Sequence, residues 1–352
     1  IAELADDMVV VRSLTTKFSE HAQGNFFMHS GFPFLGYPSA GSWVNYGLGT
    51  ENENLPGYIV LQSENSGSPH GGVSIFGNAF LPATNGGSIF NVSGAKAVPN
   101  IEPVLLKHEQ RKALDIIKSL DYGFAERTAA KEAVMSSVKN AETAYLMQEA
   151  VPELTDISGE SDSTLEMYGV NDSVWYKSEY GRQCLMARRL VERGVRFVEL
   201  SCCPFEHGVQ KANPWDQHGK IEIGHGAMAS QVDKSIAALI QDLKQRGLLD
   251  ETLVVFTGEF GRNPFAQGIG RDHNPQGFSA WLAGGGVKGG TIYGATDEFG
   301  YNAVDKVSNI YELWGTVLHL VGIDHDRLTF QYGGRNLCLT DVHGKVWHEI
   351  IA

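Results

Sequence analysis

The chain has 352 residues, 42% hydrophobic and 20% charged, which is ordinary for a globular protein with a sizeable core. Its formal net charge of −13 argues against nucleic acid and anionic membrane surfaces as partners. Apolar runs stay below the roughly 18 residues that a transmembrane helix needs, so we expect no membrane insertion.

Strand-like and helix-like patterns alternate along the chain. The apolar runs predict strands at Met8–Val11, Tyr58–Leu61, Val195–Leu200, Leu253–Thr257 and Phe278–Ala283. The periodic segments predict helices at Ser39–Leu48, Val104–Leu120, Phe124–Ala150, Ser178–Gly194, Ser230–Gly247 and Ser308–Gly322. In one of these segments Ser230 is the expected N-cap and Gly247 the expected terminator. Strands separated by helices predict an α/β fold built from βαβ units around a largely parallel sheet.

One long segment breaks this alternation. Residues 62–104 are rich in Gly, Ser, Asn and Pro and are far longer than an ordinary connection, which predicts a loop insertion such as a lid. Residues 104–150 follow as a predicted helical flank. We expect a single domain over 1–352 that carries both additions.

Carboxylates and histidines cluster after two of the predicted strands. Asp216 and His218 share one side of an extended segment, and Glu259 follows an apolar strand directly. Asp272 and His273 come a short loop later. Because ligands bind at the carboxyl ends of strands in open α/β sheets, this pattern predicts a divalent-metal site of Zn, Mn or Mg. The alternative is a set of hydrogen-bonded pairs, caps and turns.

Arg262 is the candidate anion-binding residue, because a guanidinium matches phosphate or sulfate oxygens in a bidentate way. Its alternative is an ion pair with Glu259 or Asp272. No organic cofactor is expected. The run 284–290 lacks the residues that a Walker A loop needs around its lysine, and it is interpreted as a glycine-rich turn.

Motifs spread over nearly the whole chain resemble one bacterial family, the domain of unknown function 1501. The matching segments are GEFGRNP, GRDH, WLAGGGVKGG, ATDEFGY, ARRLVERGVRFVEL, DLKQRGLLDETLVVF, ENLPGYIVL and LTDVHGKVW. That family is grouped with the alkaline-phosphatase-like superfamily of sulfatases, phosphatases and cofactor-independent phosphoglycerate mutases. The resemblance implies a three-layer α/β/α fold with a central mostly parallel sheet, a metal site at the strand ends, and a periplasmic or secreted location.

By position, the resemblance makes Asp216 and His218 the superfamily's Asp…His element. Glu259 takes the place of its strand-end Asp, and His273 that of its later histidine. Two features depart from the pattern: the strand-end residue is Glu, and Phe260 stands where a His usually follows. We expect the first-strand Asp of the superfamily to precede Ile1.

The nucleophile is not marked. A sulfatase has Cys-x-Pro-x-Arg, which Cys202-Cys203-Pro204 does not supply. The hydroxyl residues in the region of a phosphatase nucleophile, none distinguished by spacing, are Ser13, Thr15, Thr16 and Ser19, with His21 close by. Water activated by a metal can replace such a nucleophile.

Two hypotheses of different class follow. The first is a metal-dependent hydrolase that acts on small-molecule or glycan esters of phosphate or sulfate. Its metal ligands are Asp216, His218, Glu259 and His273, and Asp272 is either a ligand or the group that orients His273. The second is a catalytically degenerate relative that serves as an extracytoplasmic binding or scaffold protein. In that case Arg262–Glu259 and His273–Asp272 pairs fill a metal-free site.

Overall fold

A computed structural model describes residues 1–63, 70–93, 96–203, 205–207, 210–212 and 215–352. The helices are α1 (His21–Ser30), α2 (Ala40–Leu48), α3 (Lys107–Ala125), α4 (Lys131–Thr155), α5 (Asp162–Tyr168), α6 (Trp175–Val191), α7 (Ile221–Gln245) and α8 (Ile310–Leu320). Within these described ranges, no helix combines the length and the apolar character needed to cross a membrane.

The strands are short. They are β1 (Met8–Thr15), β2 (Tyr58–Gln62), β3 (Ser88–Asn91), β4 (Phe197–Leu200), β5 (Phe205–His207), β6 (Gln210–Ala212), β7 (Val254–Phe256), β8 (Gly261–Gln267), β9 (Gly270–Asn274), β10 (Phe278–Ala283), β11 (Thr291–Tyr293), β12 (Ala295–Thr296), β13 (Ala303–Asp305), β14 (Ser308–Asn309), β15 (Phe330–Tyr332) and β16 (Arg335–Leu337).

Two sheets carry the fold. The three-stranded sheet has the order β3-β2-β4 and is parallel throughout. The five-stranded sheet has the order β11-β1-β10-β7, with β14 also paired to β1. In this sheet β10 runs antiparallel to both β1 and β7. The remaining pairs β5–β6, β8–β9, β12–β13 and β15–β16 are antiparallel.

The α/β class predicted from the sequence is therefore confirmed, but the expectation of one central, mostly parallel sheet is not. The reason lies between β7 and β10. A parallel connection needs a crossover of a dozen or more residues, usually a helix. Here the intervening chain is used by the β8–β9 hairpin instead, so β10 returns antiparallel.

Helices cover both faces of the five-stranded sheet. Val254 and Phe256 of β7 pack against a core cluster that contains Ile236 and Ile240 of α7. Val255, on the opposite face of the same strand, packs against the cluster formed by α1, α2 and α8. This alternation is what a strand buried on both faces produces.

The predicted helix from Ser230 needs a correction. Helix α7 begins at Ile221, and Ser230 lies inside it with its hydroxyl donating to the Ala227 carbonyl. Gly224 and Gly226 lower the helix propensity of the first turns, which conceals the true start. Helices α1 and α5 and the β8–β9 hairpin were also missed.

The predicted loop insertion is only partly irregular. Its residues 88–91 form β3, which pairs in parallel with β2. The predicted helical flank consists of α3 and α4. The single-domain organisation stays a prediction.

Candidate functional site

The hairpin β8–β9 is the platform of the site. Its register places Arg262 directly opposite His273. The segment with Asp216 and His218 is fixed to this hairpin by backbone hydrogen bonds at the level of Gly270. A side chain on Gly270 would collide with the backbone of His218, so only glycine allows this approach.

Helix α1 supplies a further histidine from the other side. Because β1 and β7 both pair antiparallel with β10, they run in the same direction and end at the same edge. His21 is the first residue of α1, shortly after β1, and Glu259 follows β7. A methyl group on Gly24 would lie 2.9 Å from Cγ of Glu259, so this glycine lets the helix approach Glu259 closely.

Asp216 is the centre of the cluster, with 14% of its side chain exposed. Its Oδ1 accepts a 2.5 Å hydrogen bond from Nη2 of Arg262 and lies 3.0 Å from Nε2 of His218 and 3.2 Å from Nε2 of His273. Its Oδ2 lies 3.1 Å from Nε2 of His21. Nδ1 of His21 is 2.6 Å from Oε1 of Glu259.

These contacts change the protonation of two groups. Burial acts to raise the pKa of Asp216, but His21, Arg262 and His273 outweigh burial and hold that pKa well below its usual range. Contacts with Asp216 and then Glu259 raise the pKa of His21 to about 9. His21 and Asp216 therefore form an ion pair at neutral pH.

His218 and His273 form a pair of contacting imidazoles beside Asp216, and His218 is the more exposed of the two. Nε2 of His218 is 3.0 Å from Nε2 of His273, and Nδ1 of His218 is 2.7 Å from Oε1 of Gln267. Nδ1 of His273 is 2.5 Å from the carbonyl oxygen of Ser19, which orients this ring. Asp272 instead accepts from the backbone amide of His273 and lies 3.9 Å from Nδ1 of His218.

The side chains present fit a divalent metal. Two groups of donor atoms lie close enough to share an ion: His21, Asp216 and His273, and His218, Asp272 and His273. Asp216 lies 3.0–3.2 Å from one nitrogen each of His21, His218 and His273, so this carboxylate contacts imidazoles of both donor groups. Nε2 of His21 is paired with Oδ2 of Asp216 at 3.1 Å, so this nitrogen can act as a ligand only after it has lost its proton.

The structure brings the predicted residues Asp216, His218 and His273 together, with Arg262 in contact. Glu259 contacts the cluster through His21. For a metal-free scaffold we expected Arg262–Glu259 and His273–Asp272 side-chain pairs, and neither forms among the described residues. Arg262 binds Asp216 instead, and Asp272 accepts from the backbone amide of His273. The two carboxylate–histidine motifs were also expected after strands of one sheet, yet β4 and β7 belong to different hydrogen-bonded sheets.

The sequence did not predict His21 as a metal ligand, because helix α1 was not predicted. The sequence feature that could have identified it is its position six residues after the end of β1. The candidate nucleophiles do not stand out here either. The hydroxyls of Ser13 and Thr15 donate to the carbonyls of Lys306 and Ser308. Ser19 contributes its backbone oxygen to His273.

Fold and site together define an α/β protein whose histidines and carboxylates converge where β1 and β7 end. The chain belongs to the family described as "Protein of unknown function (DUF1501)", whose model matches residues 1–351. This confirms the family resemblance inferred from the motifs. No curated protein matches the chain in sequence.

Two solved structures are distantly similar. One is Ps i-CgsB in complex with k-i-k-neocarrahexaose, at 11% identity and a TM-score of 0.42, covering 91% of this chain and 65% of the other. The second is the PsFucS1 sulfatase from Pseudoalteromonas sp., at 12% identity and a TM-score of 0.39, covering 92% and 61%. The chain thus spans less than two thirds of either protein, and such similarity carries no functional argument.

Proposed function

We propose that this chain is a metal-dependent hydrolase of phosphate or sulfate esters with an alkaline-phosphatase-like fold. The observation that carries the proposal is the convergence of His21, Asp216 and His273 donor atoms around one point, with Arg262 in contact. Imidazole and carboxylate ligands suit Zn or Mn, and a guanidinium beside them suits an anionic ester.

A divalent ion bound here supplies Lewis-acid stabilisation of the ester oxygen and lowers the pKa of water. The chain's own groups do the positioning. Arg262 lies at the level of His273 across the hairpin, with one bond to Asp216 and one to the Arg271 carbonyl. Its planar donors can rotate from the carboxylate to the oxygens of a phosphate or sulfate group.

His218 and Asp272 suit proton transfer at the solvent side. The side chain of His218 is 41% exposed and that of Asp272 is 55% exposed. Both are therefore accessible to a leaving group, whereas Asp216 and His273 are not. In this proposal Asp272 acts on His218 through its charge, because its carboxylate lies 3.9 Å from Nδ1 of His218 while that nitrogen is bonded to Gln267 at 2.7 Å.

One observation favours a degenerate binding or scaffold protein instead. The 2.5 Å bond from Arg262 already compensates the charge of Asp216, so this carboxylate is satisfied without an ion. A relative that had lost its metal would retain such a contact. The two candidates differ in metal content and in turnover.

The deciding experiment is elemental analysis of the purified chain after incubation with Zn²⁺ or Mn²⁺, with turnover of aryl phosphates and aryl sulfates measured in parallel. H273A removes a donor shared by both groups, E259Q perturbs the cluster through His21, and H108A is a matched control on exposed α3. The proposal predicts metal and turnover in wild type and H108A, and loss of both in H273A. A wild type with neither bound metal nor turnover supports the degenerate protein. Equal metal content in wild type and H273A refutes the metal site.

A further inference from the structure

Helix α3 presents an uncovered apolar surface far larger than single exposed residues explain. Exposed fractions are 64% for Leu106, 63% for Ile116, 50% for Ile117, 67% for Leu120 and 52% for Phe124. The preceding residues Val104 and Leu105 add 98% and 50%. Monomeric proteins seldom expose contiguous apolar patches above roughly 300–600 Å².

The apolar surface is distinct from the side of α3 that packs on α4. That side is held by ion pairs from Arg111 and Lys118 to Glu142, and from Lys107 to Glu149. With 3.6 residues per turn, the exposed apolar residues lie roughly 100–160° around the helix from these lysines and the arginine. The surface is thus left over after the helix has packed within its own chain.

The spacing along this surface is that of a helix-pairing seam. Leu106, Ala113 and Leu120 recur every seven residues, and Gln110, Ile117 and Phe124 recur between them. We call these six residues the α3 seam. A 3–4 repeat sustained over this length is the pattern with which one helix packs along another.

The α3 seam is complementary to itself when two copies run antiparallel. In that arrangement Phe124 faces Leu106 of the other copy, Ile117 faces the small Ala113, and Leu120 faces Gln110. A parallel pair would stack Ala113 on Ala113 and leave a void, whereas Gln110, whose side-chain oxygen is buried within its own chain, lies at the margin of the seam in either arrangement. Large residues opposite small ones fill space better.

The exposed area also matches what a dimer requires. Together with Val104, Leu105 and Ile116, the seam exposes apolar side chains on the order of the roughly 800 Å² that each partner buries in a standard interface. A twofold axis buries the same patch on both copies, so one exposed surface closes the assembly. We propose that the occupant of the α3 seam is a second copy of this chain, paired as antiparallel α3 helices.

The test is sedimentation equilibrium of the whole chain, whose mass is 38.4 kDa. Wild type should sediment at twice this mass at micromolar concentration. L120E should raise the dimer dissociation constant by about 100-fold or more, because the interface would bury an unpaired charge. V342E is the matched control, since Val342 is 81% exposed outside α3 and its replacement should leave the dimer intact.

The double variant Q110K/L120E tests the register. In the antiparallel pair each new glutamate faces a new lysine of the other copy, so the double variant should dimerise more strongly than L120E. In a parallel pair it should stay dissociated. Thermal melting of every variant checks that α3 and α4 still fold.

Three outcomes overturn the proposal: a wild-type chain that is monomeric at all concentrations, an L120E chain that dimerises like wild type, or a double variant that dimerises no more strongly than L120E. Monomeric wild type that binds neutral phosphatidylcholine vesicles would identify lipid as the occupant instead.

Discussion

Metal affinity should rise steeply with pH because His21 must lose a proton before it can act as a ligand. Asp216 and then Glu259 raise the pKa of His21 to about 9. At pH 7 the group is about two units below that value, and each unit corresponds to about 1.36 kcal/mol. Deprotonation at pH 7 therefore costs about 2.7 kcal/mol, or about 100-fold in affinity.

The assay is competition for Mn²⁺ against a chelator of known affinity, from pH 6.5 to 9.5. Wild type should gain about tenfold in affinity per pH unit up to about 9 and then level off. E259Q keeps the imidazole but removes one of its two carboxylate partners, so the plateau should begin at lower pH. Equal wild-type affinity at pH 7 and pH 9 would refute the assigned role of His21.

Three further results are expected. Burial acts to lower the pKa of His29, but Glu199 outweighs burial and raises that pKa above its usual value. The stabilisation from this ion pair is therefore fully present below about pH 6.5 and is lost as the pH rises through the folded-state pKa. Melting temperatures should fall over that pH range in wild type, and less so in E199Q. Replacing Gly270 by Ala should lower both the melting temperature and the metal affinity, because the added methyl group would collide with the backbone of His218. The control Gly226→Ala lies in open space on α7 and should be neutral or stabilise by up to about 1 kcal/mol. Ile240→Ala should destabilise by about 2–5 kcal/mol in denaturant titrations, since this side chain is fully buried in the α7 core, and a loss below 1 kcal/mol would contradict that packing.

Local patterns predicted the elements that are buried on both faces. The strand expected at Phe278–Ala283 has those bounds in the structure, and the apolar face of α7 is buried as expected. Such elements are specified by their own apolar periodicity. The direction of β10 is not, because it depends on whether the chain before it forms a helix or a hairpin. Because a hairpin forms there, the sheet is mixed and not mostly parallel as predicted.

The candidate site was likewise predicted only in part from the sequence. Asp216, His218 and His273 were grouped from the sequence because each motif follows a strand. Their closeness, however, depends on the β8–β9 register and on the absence of a side chain at Gly270. His21 came from a helix that the sequence did not reveal. Spacing can nominate ligand types, but tertiary pairing decides which of them share a centre.

The charges of the cluster explain why metal and anionic substrate would depend on each other. Without a metal, the positive charges of His21 and Arg262 balance the negative charges of Asp216 and Glu259. A divalent cation that displaces the proton of His21 leaves this set with one net positive charge. An anionic ester group restores the balance and gives Arg262 an alternative partner to Asp216. Anion binding should therefore be weak in the metal-free cluster and strengthened by the metal.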